Sequence, residues 1–353
     1  MYYTEESEFS YYGKFRTYKI MEGDTLQSVA QKLGIDAREL RRYHNMYCMV
    51  ADLIEHDFKR YSKFLILAPE KSISDANEVI AKTPKKVSLG KDNKLPFLPR
   101  GIDKEYKVKY ISNVDDQSDV MEMNVRVKWL ATDKNNFHLF EINRRSVYIN
   151  NTKPNIIMDE LAVKTAEVLY PLKIVVDESG KWIDIYNYDE IHSRWKDKKE
   201  AILGYFEGEV AEKYVKKTEY ALENTETLFK YLASDYFLRT FFNGIHVSYT
   251  SSYSFQNEVL FPLEKDEESK YKIEQKIDQF LDQSNLVRIE QKGHYVATES
   301  EASFETDPWT GNYNAYYFLD QHSYCIEKVN LECSIKYGEE MKAVIQIESL
   351  KKE

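Results

Sequence analysis

The best candidate chemistry in this chain lies in five consecutive residues, Glu22-Gly23-Asp24-Thr25-Leu26. A glycine at the foot of a helix lets another molecule approach the backbone closely. The first N–H groups of a helix have no partner within the helix. Together they suit a carbonyl acceptor such as the acetamido group of a sugar. The competing assignment gives Asp24 and Thr25 a capping role alone. Asp24 with Gln27 reads as an N-cap and its capping-box partner. Asn45, Met46 and Tyr47 are the candidates for a facing wall. A Met or Tyr side chain there either packs on a sugar ring or belongs to the core of its own module.

Other groups with chemical potential are sparse. The three cysteines, Cys48, Cys325 and Cys333, do not form a disulfide framework. Cys325 and Cys333 fall on one extended run, roughly 26 Å apart, beyond disulfide reach. Reduced thiols and a reducing compartment follow. A Cys–His peptidase needs its cysteine at a helix start, and these two sit in strand-like runs. No His-Glu-x-x-His zinc motif occurs. Ser193-Arg-Trp-Lys196 matches Ser-x-x-Lys without a companion Lys-Thr-Gly. The pairs Asp177-Glu178 and Glu339-Glu340 fall in hairpin turns, where solvated carboxylates are the ordinary case. We therefore expect no catalytic residue, no cofactor and no metal. Two aromatic-polar stretches, His246–Phe255 and Pro308–Tyr317, read as loops. They are either protein-binding surfaces or connections packed on a sheet.

The elements that position these residues follow from periodicity. Tyr18 and Ile20 alternate with Lys19 as a strand would. Leu26, Val29, Ala30 and Leu33 recur on one helical face, and Gly34 stops that helix. Asp36 and Glu39 open a second helix with Ala37, Leu40 and Tyr43 inside and Asn45 at its end. Phe64–Ala68 is a closing strand, ended by Pro69. Residues 1–17 form a tyrosine-rich arm, and the Lys/Pro/Gly-rich stretch 70–105 reads as a linker. From Tyr106 onward, alternating runs at 106–111, 121–129 and 137–149 predict strands. A hairpin follows at Leu172–Ile185. Helical spacing then runs from Tyr188 to Asn243, broken near Gly204 and Gly208. Strands return at 258–263, 271–280, 285–291, 316–319 and 324–350. Strands, then helices, then strands predict an α+β domain over 106–353, with a mostly antiparallel sheet and long covering helices.

The run Gly23-Asp24-Thr25-Leu26, the helix spacing and Asn45 make residues 18–69 resemble a LysM module. That resemblance implies a βααβ fold and a glycan-binding groove for N-acetylglucosamine polymers such as peptidoglycan. It places the groove between the first strand–helix loop and the second helix–strand loop. The segment Met46–Lys63 is longer than usual for the family and has no glycine, so the second wall is altered. LysM modules also occur in baseplate and spike-adaptor proteins of contractile injection systems. The reading is thus a non-enzymatic adaptor docking in a bacterial assembly such as a type VI-like secretion system. The alternative is a peptidoglycan-binding envelope protein. A third class is an enzyme or lipid carrier built on the larger sheet.

Composition bounds the partners. The 353 residues are 42% hydrophobic and 31% charged, as expected of a chain with a real core. The formal net charge is -10, with -12 on residues 106–353. An acidic domain without a basic stripe argues against nucleic acid and against an anionic membrane surface. No apolar run reaches the length of a membrane span. The first residues, Met1-Tyr-Tyr-Thr-Glu-Glu, lack the basic and apolar regions of a secretory leader. The expected location is the cytoplasm, with leaderless export as the other route.

Overall fold

The computed structural model describes residue 12 and residues 15–49, 52–59, 62–68, 85–114, 117–263, 269–297, 309–337 and 339–350. Contacts divide the chain into two units, Met1–Thr83 and Pro84–Glu353.

In the first unit, β1 (Arg16–Lys19) is followed by α1 (Leu26–Leu33), α2 (Ala37–Tyr47) and β2 (Phe64–Leu67). The two strands pair antiparallel, with Tyr18 opposite Leu65. Thr25, not Asp24, is the N-cap of α1. Its hydroxyl accepts from the Ser28 N–H, and the Ser28 hydroxyl accepts from the Thr25 N–H. A threonine hydroxyl one residue later reaches the third helical N–H, so the reciprocal partner moves from Gln27 to Ser28. Gly34 closes α1 at φ 65°, a conformation glycine adopts without strain. Asp36 caps α2 through the N–H groups of Arg38 and Glu39. The helix runs two residues past Asn45. Side chains alternate across β2. Leu65 and Leu67 join Leu26, Val29, Leu40 and Ile54 in one cluster, while Ile66 joins Tyr12 and Cys48 in another. Tyr12, within the stretch read as an arm, is thus buried.

The second unit is one antiparallel sheet of eleven described strands in the order β7-β6-β5-β4-β3-β13-β12-β11-β10-β9-β8. The strands are β3 (Asp103–Val114), β4 (Gln117–Thr132), β5 (His138–Ile149), β6 (Leu172–Val176) and β7 (Trp182–Ile185), then β8 (Ser254–Phe261), β9 (Ser269–Ile277), β10 (Leu286–Tyr295), β11 (Thr310–Asp320), β12 (Ile326–Tyr337) and β13 (Glu339–Leu350). The first and last strands, β3 and β13, pair at the centre, and each half of the chain meanders outward to one edge. The segment between β7 and β8 must therefore cross the whole width of the sheet, about 48 Å if the sheet were flat. It does so as α4 (Tyr188–Tyr205), α5 (Glu209–Ala221), α6 (Thr225–Ala233) and α7 (Tyr236–Phe241), with α3 (Ile157–Ala166) inserted earlier. Gly208, at φ 104°, makes the break between α4 and α5. The helices and one face of the sheet share a single core, in which Trp195, Leu228 and Phe237 meet Tyr106, Ile345 and Leu331. The other face carries ion pairs such as Lys109–Glu122 and Lys342–Glu332.

Two stretches differ from the sequence reading. Of the stretch read as a linker, residues 85–102 form a strap on the second unit, and β3 starts at Asp103. Val87 donates to Gln279 O, Leu95 to Val247 O and Leu98 to Ser323 O, while Val87 and Leu95 are buried. Beyond a short 3-10 turn at Lys91–Asn93, prolines deny the strap a longer regular element, but spaced apolar residues anchor it. The stretch Pro308–Tyr317 is a core strand from Thr310, with Tyr313, Ala315 and Tyr317 buried; Pro308 lies outside the described residues. Gly311 sits there because a Cβ would stand 2.2 Å from Ser334 O on the next strand.

Candidate functional site

The Glu22–Leu26 loop turns through Gly23 at φ 86°, with the Asp24 N–H bonded to Met21 O. Glu22, Gly23 and Thr25 are exposed, and Leu26 is buried. Asp24 is a tie rather than a free acid. Its carboxylate accepts from Lys32 Nζ at 2.6 Å, the Met21 N–H at 3.0 Å and the Tyr18 hydroxyl at 2.9 Å. The lysine bond, then the two others, hold its pKa down to about 2.

The Leu26 and Ser28 amides that open α1 are already engaged. Thr25 and Ser28 exchange bonds as described. The Leu26 N–H donates to Asp57 Oδ1 at 2.6 Å, and the same oxygen takes the Phe58 N–H at 2.8 Å. Asp57 comes from the long segment between α2 and β2, which reaches across to the helix start. A carboxylate there is favoured by the partial positive charge of a helix N-terminus.

Asn45 is a backbone clamp. Its Nδ2 donates to Ile54 O and its Oδ1 accepts from Ile54 N, both at 2.8 Å. Met46 is half-buried. Tyr47 lies tilted against Tyr43, with ring centroids 4.9 Å apart, and against Phe15 at 5.9 Å. It packs in the cluster with Ile66, whereas Leu26 packs in the cluster with Leu65 and Leu67. The structure therefore sets Leu26 and Tyr47 on opposite faces of β2. Asn45 is linked to the Leu26 side through Ile54.

Sequence reasoning missed two members of this unit. Asp57 carries no local signal. His44 falls one turn beyond Leu40 on the inner face of α2, which marks it for burial. Its ring binds Ile66 N through Nδ1 at 3.0 Å and Asp52 O through Nε2 at 2.9 Å.

The larger unit holds a buried polar chain against the inner face of the sheet. Asn243 Nδ2 donates to the Tyr317 hydroxyl at 2.9 Å and to Gln291 Oε1 at 3.2 Å. Gln291 donates to Gln275 Oε1, and Gln275 donates to the Tyr249 hydroxyl, both at 2.6 Å. Burial pushes the Tyr317 hydroxyl up to about 12 and Tyr249 and Tyr313 above the usual range. These phenols stay protonated, and the chain satisfies polar groups that would otherwise be buried without partners. The His246–Phe255 stretch takes part in this packing, with His246 and Tyr249 buried. His246 Nδ1 donates to Pro96 O at 2.7 Å, and its ring lies over Gly180, where a Cβ would meet Cδ2 at 2.7 Å.

A cavity of about 20 Å³ lies beside His246, lined among others by Phe97, Phe140, Phe242 and Cys325. It has room for about one water and none for an acyl chain. An open cleft of about 440 Å³ lies between α4 and α5, floored by Leu203, Phe206 and Val215 and edged by Lys199, Glu212 and Lys216. All three cysteines are buried and unbridged. Burial pushes the Cys325 thiol up to about 12 and the Cys333 thiol well above its usual value. Among the described residues, no cluster of three or more His, Cys, Asp or Glu side chains is placed to hold a metal ion. No helix among them is long and apolar enough to cross a membrane.

Comparison with family models and with curated proteins returned no match to this chain.

Proposed function

We propose that the chain is a non-enzymatic docking protein whose LysM-like module grips a protein partner, as in a bacterial contractile injection (type VI-like) assembly. One observation carries the choice of a protein over a glycan: the Asp57 carboxylate holds the Leu26 amide. A sugar acetamido group would need that donor, and here it is engaged from within the chain. The thiols support the non-enzymatic reading. With pKa values raised by burial, Cys325 and Cys333 offer no appreciable thiolate at neutral pH. Three unbridged cysteines suit a reducing compartment such as the cytoplasm. Tyr205 and Tyr220, 74% and 71% exposed on the helices, give aromatic surface of the kind enriched at protein interfaces.

The second reading, a peptidoglycan-binding envelope protein, draws on the exposed Gly23 turn. Sedimentation with insoluble peptidoglycan separates the two. The docking reading expects the chain to stay in the supernatant. Retention that Gly23→Trp abolishes would overturn it in favour of the glycan. In the native host, co-purification of spike or tube proteins is the expected result, and a strictly monomeric, partnerless chain counts against docking.

A further inference from the structure

We infer that His44 is an acid-sensitive latch: its neutral ring pins β2 and the Asp52–Phe58 segment to α2, and protonation opens the N-terminal module. The inference concerns the module's own closure and holds whichever partner the module grips.

The geometry fixes one protonation state. The Ile66 N–H can only donate, so Nδ1 must accept and carries no proton. Asp52 O can only accept, so Nε2 carries the proton and donates. The ring is therefore the neutral Nε2–H tautomer, 1% exposed. A second proton has one place to go, Nδ1, where it would face the Ile66 N–H donor to donor. The bond to β2 would be lost and a charge would be buried at the same point.

The surroundings give an imidazolium little help. From the Asp52–Phe58 segment, the Asp52 carboxylate faces the ring, but it already accepts the Tyr12 hydroxyl. Just past the end of α2 the near titratable group is Cys48, whose N–H donates to His44 O, and from the N-terminal stretch it is Tyr12, both buried. β2 contributes only Phe64, Leu65, Ile66 and Leu67. Burial accordingly holds the His44 pKa below its usual value, outweighing the bond and charge of Asp52.

What opens is set by the bonds around the ring. β2 is the closing strand of the module, and Asp52 begins the described segment that carries Ile54 to Asn45 and Asp57 to Leu26. Loss of the His44 bonds releases the start of that segment at Asp52 and β2 at Ile66. Acid would thus loosen the segment that holds the Leu26 amide through Asp57 at neutral pH.

Hydrogen exchange on the full chain between pH 7 and pH 5, corrected for the intrinsic pH effect, tests this. Protection of peptides covering 52–58 and 64–67 is expected to fall by up to about tenfold per pH unit once the pH drops below about 6.5. His44→Gln, whose amide offers an acceptor and a donor but takes up no proton, is expected to flatten that slope while leaving peptides of β11–β13 unchanged. Constant protection of 64–67 in the native chain between pH 7 and pH 5 overturns the proposal. So does an equal slope in His44→Gln. Should that variant fail to fold, imidazole nitrogen shifts in the native chain still decide. The Nε2–H tautomer is expected at pH 7, and an Nδ1–H tautomer or an imidazolium in the closed module at pH 5 refutes the latch.

Discussion

Asp57→Ala tests the link between the long α2–β2 segment and the helix start. In the native chain, Asp57 Oδ1 accepts from the Leu26 N–H at 2.6 Å and the Phe58 N–H at 2.8 Å. Leu26 is 6% exposed but Asp57 is exposed, so water can replace part of the bond its amide loses. A hydrogen bond to a charged acceptor is worth about 1.5–3 kcal/mol. The attraction of a carboxylate to a helix N-terminus adds about 0.3–1 kcal/mol. The Phe58 N–H is exposed and can turn to water, so it adds little. With water recovering part of this at an exposed carboxylate, the expected cost to the N-terminal unit is about 1–3 kcal/mol. Asp57→Asn keeps an acceptor oxygen and loses the charge, so its cost should be about half as large. The assay is native-state hydrogen exchange of α1 peptides in the full chain under increasing urea, which reads this unit separately from the larger one. A cost below about 0.5 kcal/mol for Asp57→Ala would show that the bond does not hold the segment. Equal costs for Ala and Asn would refute the charge-based part of the reasoning.

The larger unit should lose stability in mild acid through His246. Burial lowers its folded pKa to about 4 from an unfolded value of about 6.5. The stability of the neutral ring is complete above pH 6.5 and drains as pH falls to about 4. That amounts to about 3 kcal/mol, measurable by denaturant titration of β3–β5 protection at several pH values and absent in His246→Gln. Lys94, Asp177 and His138 also act on this ring, so the slope should be read at constant salt. Gly293→Ala should prevent stable folding of this unit, because a Cβ there would stand 2.2 Å from Lys272 O on the neighbouring strand; a soluble variant with native circular dichroism would contradict the register. A thiol reagent should leave the native chain unmodified at neutral pH and titrate three thiols in denaturant, since Cys48, Cys325 and Cys333 are 1%, 5% and 0% exposed.

Much of the architecture was legible in the sequence because it rests on local rules. The 3.6 period of Leu26, Val29, Ala30 and Leu33, with Gly34 behind it, specifies α1 from hydrophobic spacing and a left-handed stop. The alternation around Met121–Trp129 specifies β4, and Asp177-Glu-Ser-Gly180 specifies the β6–β7 turn. Local rules weakened where composition and environment disagree. The strap at 85–102 has the prolines and lysines of a linker, yet its backbone bonds to Gln279, Val247 and Ser323 come from distant chain. Asn312, Gly311 and the tyrosines of β11 look like a loop until β10 and β12 flank them. Glycine is then required there by the close approach of Ser334 O.

The candidate site divides the same way. The sequence determined that a helix follows the glycine turn, since capping and turn chemistry act within a few residues, though it put the cap at Asp24 and the fold puts it at Thr25. Only the tertiary structure decided what meets that helix start. Asp57 lies 31 positions downstream, and no periodicity or motif links it to Leu26. The same holds for His44. Its place on the inner face of α2 follows from helical spacing. Its tautomer is fixed only by the Ile66 N–H and Asp52 O, because a proton's position depends on which partners the fold brings to each nitrogen.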